Sequence, residues 1–150
     1  QTNDWPHQAP DIPRLPLLSW SELAQTVAAG FEIGAHTVTH RRLPELSPDE
    51  ARQEILDSKK MIEDRLRCEV STFAFPFGRF TRTTYETVRE NFRGACGVNL
   101  AKARPDDDRH QLSRLDVYYL RSPWLFQFFE TVPGRAYLQL RAIGRSLVGV

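Results

Sequence analysis

The chain has 150 residues, 41% apolar and 26% charged, which fits one soluble globular domain with a real core. The formal net charge is +1, so there is no electrostatic case for a nucleic-acid partner. No apolar run is long enough to cross a bilayer, no leader-type apolar region opens the chain, and Cys68 and Cys96 are too few for a disulfide framework. The two thiols could pair, but they read as free and buried.

Residues 1–17 hold Pro6, Pro10, Pro13 and Pro16 and predict an irregular opening segment in which His7 is inert. A helix starts near Ser19 or Ser21, with Glu22 following, and runs through Leu23, Val27 and Ala28 to its stop at Gly30. Phe31 to Ala35 predicts a short buried strand ending at His36-Thr37-Val38-Thr39-His40. Ser47-Pro48-Asp49-Glu50 predicts a helix start, because Ser47 can cap, Pro48 suits the first turn and Glu50 closes a capping box. This helix runs to about Arg67 and turns Ala51, Ile55, Ile62 and Leu66 to one face, with Lys59, Lys60, Glu63 and Asp64 toward water.

Val70 to Phe75 is the next predicted strand, ended by Pro76 and Gly78. Thr81 or Thr83 opens a helix through Tyr85 and Val88 to Phe92. Arg93 to Val98 predicts a third strand, residues 101–109 a solvated loop, and Leu115 to Leu120 a fourth strand. Trp124 to Glu130 and Tyr137 to Leu147 predict two closing helices separated by Val132-Pro133-Gly134. The aromatic run Trp124 to Phe129 is expected to pack into the core, with sugar stacking or a contact to another chain as alternatives. The last helix has Arg135, Arg141 and Arg145, with Leu140, Ile143 and Leu147 on one side, and is expected to pack onto the sheet.

Alternating helices and strands imply a parallel α/β architecture, a barrel or an open sheet, with its active site at the carboxyl ends of the strands. His36 and Pro76-Phe77-Gly78 both fall at such ends. Two imidazoles four residues apart can converge on one divalent metal such as zinc. A pair of surface or capping histidines is the plainer reading. Thr37 and Thr39 bring hydroxyls that can orient the loop or the rings.

Leu18-Ser19-Trp20, Gly30-Phe31-Glu32-Ile33-Gly34-Ala35-His36-Thr37-Val38-Thr39-His40, Leu43, Leu46-Ser47, Glu54 and Phe75-Pro76-Phe77-Gly78 together resemble the polysaccharide deacetylase family, the NodB-homology domain of carbohydrate esterase family 4. The resemblance implies an α/β fold, an incomplete NodB-type (β/α) barrel with mostly parallel strands. It implies that residues 18–150 are the C-terminal portion of such a domain and residues 1–17 a segment leading into it. It also implies hydrolysis of N- or O-acetyl groups on an acetylated carbohydrate with a divalent metal, zinc above others. His36 and His40 would be metal ligands and Thr37 would brace their loop. The Phe77 backbone N–H would stabilise the oxyanion, and Pro76 and Gly78 would shape the turn that presents it to substrate.

The chain departs from the family at its start. The family's first motif, Thr-Phe-Asp-Asp, supplies the general base and third metal ligand and has no counterpart here. Asp4 and Asp11 lie in the proline-rich segment, and Asp106-Asp107-Asp108 in a charged loop. The expectation is a fragment of a longer enzyme, a non-catalytic relative, or a sheet completed by another segment or a second copy. The family's arginine upstream of the Pro-Phe-Gly turn is also absent, so Arg114 could orient substrate instead, or make a surface ion pair. His110 is the only later histidine and reads as a loop residue rather than a general acid. The alternative function is a carbohydrate-binding or assembly module that lost the aspartates.

Overall fold

The computed structural model describes residues 2–5 and 12–148, with side chains through 144. Three helices begin where a short polar side chain can answer an orphan N–H. Ser19 opens α1 (Trp20–Ala28) in a reciprocal box with Glu22. Ser47 opens α2 (Pro48–Leu66) the same way with Glu50, and left-handed Arg67 closes it at φ 52. Thr81 opens α3 (Arg82–Asn91) with Thr84. All three starts agree with the sequence.

Strands β1 (Thr72–Ala74), β2 (Gly94–Leu100) and β3 (Leu112–Arg114) form a parallel sheet in the order β1-β2-β3. Thr72 pairs with Gly94, Ala74 with Cys96 and Cys96 with Leu112. Ala35 adds one parallel bridge beyond β1, donating to Thr72 O at 2.9 Å and accepting from Ala74 N at 3.0 Å. The mixed α/β architecture and parallel sheet are those expected of a partial NodB-type barrel. Ile55 of α2 and Val88 of α3 share a buried cluster with Phe73, Phe75 and Val70. A second, smaller cluster gathers Leu100, Leu120 and Leu138.

Several elements differ from expectation. Residues 31–35 make no strand: Ala35 is buried and paired, but Phe31 is 67% exposed. No described strand lies on the outer side of this segment to bury it. The last strand is Leu112–Arg114, while Val117–Leu120 is a 3-10 turn started by the Asp116 carboxylate accepting from Tyr118 N–H. Lys59 and Glu63 do not face water alone; Lys59 Nζ donates to Val70 O, and Glu63 accepts from Val70 N–H at 3.0 Å. They tie the end of α2 to the approach of β1.

Helix α4 (Pro123–Phe128) buries nothing, and Trp124 and Phe126 are 63% and 58% exposed. Its rings meet each other and Phe129, and of the aromatic run Phe129 packs against the second cluster. Helix α5 (Val132–Val148) takes Val132-Pro133-Gly134 as its first turn, because Thr131 Oγ1 accepts from Gly134 N–H and Pro133 needs no partner there. Its buried side is Leu138, with Leu140 and Ile143 exposed, so the expected apolar face is not the one that packs. Leu147 and the Arg145 side chain lie outside the described side chains. Cys68 and Cys96 are free and half-buried rather than fully buried.

Candidate functional site

His36 leaves the sheet immediately after the Ala35 bridge. Its Nδ1 lies 2.7 Å from Ala74 O, the last residue of β1. A carbonyl can only accept, so Nδ1 carries the proton and Nε2 keeps a lone pair. The chain then reverses through a strained turn, with Thr37 at φ 65 and His40 at φ 56. Glu54 of α2 holds that turn, accepting from Val38 N–H and Thr39 N–H at 2.9 Å each and from Thr39 Oγ1 at 2.6 Å. Thr37 Oγ1 accepts from His40 N–H at 3.1 Å. Both threonines therefore brace the loop.

The result is a pair of imidazoles with centroids 4.8 Å apart and planes at 68°. His40 also meets Phe77 at 4.9 Å and Trp5 at 4.8 Å. Its Nδ1 is buried with no hydrogen-bond partner among the described residues. Burial lowers the pKa of His36; the Ala74 carbonyl opposes this and the Arg114 charge adds to it. His36 as a residue is nonetheless exposed, so solvent screens part of this lowering. His40 is lowered as well, by burial first and then by His36, with the dipole of its own carbonyl opposing. Both rings thus favour the neutral form a metal needs.

Pro76-Phe77-Gly78 is a tight turn at the end of β1, with Phe77 at φ 56 and Gly78 at φ 63. A Cβ on Gly78 would drive into Val98, 2.8 Å from its main-chain nitrogen, so the position needs glycine on both counts. The Arg42 guanidinium lies 5.2 Å from the Phe77 ring centroid. Arg114 ends β3 rather than starting a strand, and its charge reaches His36.

Other predicted candidates lie elsewhere. Asp108 comes before β3, at the opposite end of the sheet, where it accepts from Tyr85 Oη at 2.6 Å. Asp107 accepts from Arg104 N–H, and Asp4 pairs with Arg14 at 3.1 Å. His110 lies in the loop before β3, as expected, and is buried there with its Nε2 3.0 Å from Phe92 O. Asp11 and His7 lie outside the described residues. Among the described residues no three His, Cys, Asp or Glu side chains could hold one metal ion. A cavity of about 790 Å³ lies between residues 100–107 and α5 and is lined by no histidine or cysteine.

Sequence reasoning missed the grip of Glu54, the cover from Trp5 and the placement of Arg42. Glu54 had a signal, since it sits three residues from buried Ala51 and beside Ile55, at the border of the helix's inner face. Trp5 had none, because its partner is 35 residues away, beyond α1.

Fold and site together define an α/β domain with a histidine pair at the carboxyl edge of a parallel sheet. The polysaccharide deacetylase family model matches residues 3–92, more than half of the chain, and the chain belongs to that family. It is 25% identical over 101 residues to YxkH of Bacillus subtilis (strain 168), which its name assigns to the polysaccharide deacetylases; the match covers 67% of this chain and 36% of YxkH. The Streptococcus pyogenes deacetylase PplD, solved with acetate, superposes with TM-score 0.62 at 27% identity, over 65% of this chain and 44% of that one. BA3943 of Bacillus anthracis, described as a CE4 family pseudoenzyme, gives TM-score 0.50 at 27% identity, over 54% and 29%. The chain therefore spans less than half the length of each of these three proteins.

Proposed function

We propose that this chain carries the histidine half of a metal-dependent deacetylase site that removes N- or O-acetyl groups from a carbohydrate. The observation that carries the reading is the His36–His40 pair, two neutral-leaning imidazoles 4.8 Å apart at the carboxyl edge of the sheet. The available Nε2 of His36 and the neighbouring imidazole of His40 fit a borderline-soft divalent ion, zinc above others. Such an ion, when bound, polarises an acyl carbonyl and acidifies water. Hydrolysis adds water across the acyl bond and releases acetate with a free amine or hydroxyl.

In this reading His36 and His40 hold the ion, and Thr37 keeps their loop in its strained turn. The Phe77 backbone N–H serves the developing oxyanion, and Pro76 and Gly78 fix the turn against which the substrate binds. Arg114 orients the acyl group. The third ligand and the general base come from a segment or a second copy that also completes the sheet beyond Ala35. A second reading, a carbohydrate-binding or assembly module without catalysis, is favoured by the lack of a third ligand among the described residues.

Zinc titration of the purified chain, with elemental analysis, tests the site. One zinc per chain is expected, lost in His36→Ala and in His40→Ala. Unchanged binding in His36→Ala overturns the assignment. Binding too weak to survive dialysis supports the second reading.

A further inference from the structure

Metal-bound histidines are ordinarily aimed by a hydrogen bond on the second ring nitrogen. His36 has that bond, to Ala74 O. His40 does not, since its Nδ1 is buried without a partner among the described residues. Its orientation rests on ring packing. Three rings surround it: His36 at 68°, Phe77 at 61° and Trp5 at 33°, the most face-on of the three. Trp5 is half-buried, and the residues before it are tied down. The Asn3 side chain donates to Pro13 O at 3.0 Å and accepts from Leu15 N–H at 2.6 Å. Asn3 N–H donates to Leu15 O at 3.0 Å, Asp4 pairs with Arg14, and Thr2 bridges Pro16. The opening segment is thus bonded to the run that leads into α1, and Trp5 is the ring it sets against His40.

We propose that Trp5 is a positioning residue for the metal site, fixing the His40 imidazole by a tilted ring contact where a hydrogen bond would otherwise do so. A wide aromatic face can fix a ring plane without contributing a donor that competes with the metal. The proposal rests on the reading of His36 and His40 as ligands, but the ring-orienting role can be measured apart from any metal.

The test compares the full chain with Trp5→Ala, Trp5→Leu and Trp5→Phe. In metal-free protein, nuclear Overhauser contacts between the His40 and Phe77 rings report the His40 orientation. They are expected to persist in Trp5→Phe and to weaken in Trp5→Ala and Trp5→Leu. Zinc titration should show roughly tenfold weaker binding in Trp5→Ala, of the order seen for groups that orient ligands, and near-native binding in Trp5→Phe. Trp5→Leu keeps apolar bulk, so it separates the ring from simple filling if Trp5→Ala loses the fold. Unchanged ring contacts in folded Trp5→Ala or Trp5→Leu overturn the proposal. A native chain that binds no zinc overturns the metal reading instead, and the ring contacts still decide the role of Trp5.

Discussion

At His36 a hydrogen bond that favours the charged ring is outweighed by burial and by the charge of Arg114. In the unfolded chain the imidazole protonates near its ordinary value of about 6.5. In the native chain it protonates only at lower pH, and His40 behaves likewise. Between the two values the unfolded state binds more protons, so this share of stability is present above about pH 6.5 and is lost as pH falls through the native value. Urea unfolding from about pH 8 to about pH 5 should show a falling midpoint, with a shallower fall in His36→Gln. An equal slope in that variant would remove burial of His36 as its source. The motif itself was plain in the sequence because its spacing is local. The protonation state was not, since it depends on Ala74 and Arg114, far along the chain.

At the scale of elements, α2 is both a core helix and the clasp of the histidine loop. Its start was readable, because a capping box needs only Ser47, Pro48 and Glu50. Its inner face puts Ile55 in the core and Glu54 beside it, where one carboxylate takes three donors from the loop. Hydrogen bonds to a charged acceptor contribute about 1.5–3 kcal/mol each when well shielded, and less near solvent. Glu54→Ala should therefore destabilise the chain by about 1–2 kcal/mol and weaken zinc binding as the loop leaves its strained φ values. Chemical denaturation and zinc titration check both, and a variant with native values for each would show that the loop holds itself. The two misread strands share one cause. Residues 31–35 and 115–120 have the composition of strands, but a strand exists only where a neighbour pairs with it. Leu112–Arg114 found β2, whereas Val117–Leu120 was drawn into a turn by Asp116.

Across the whole molecule the two clusters divide the labour. The first joins α2, α3 and the sheet beneath the histidine loop, while the second is three buried leucines with partners from the C-terminal third. Local opening should follow that division. The amides of Ala74 and Phe75, bonded to Ala35 O and Cys96 O, should be among the slowest to exchange with solvent hydrogen. The Phe126 amide of α4, a helix without a buried residue, should exchange near the rate of a frayed end. Equal protection of both would mean the C-terminal helices are part of one cooperative core.

The sequence by itself determined the helix starts, the parallel α/β class, the family resemblance and the histidine and Pro-Phe-Gly motifs, all set by residues within a few positions of one another. Only the tertiary structure decided that Ala74 fixes the proton on His36 and that Glu54 clasps the loop. It alone set Trp5 on His40, placed Arg114 at the end of a strand and left Trp124 and Phe126 of α4 outside the core. Each of these contacts joins groups far apart in the chain, and periodicity and propensity record no distance between them.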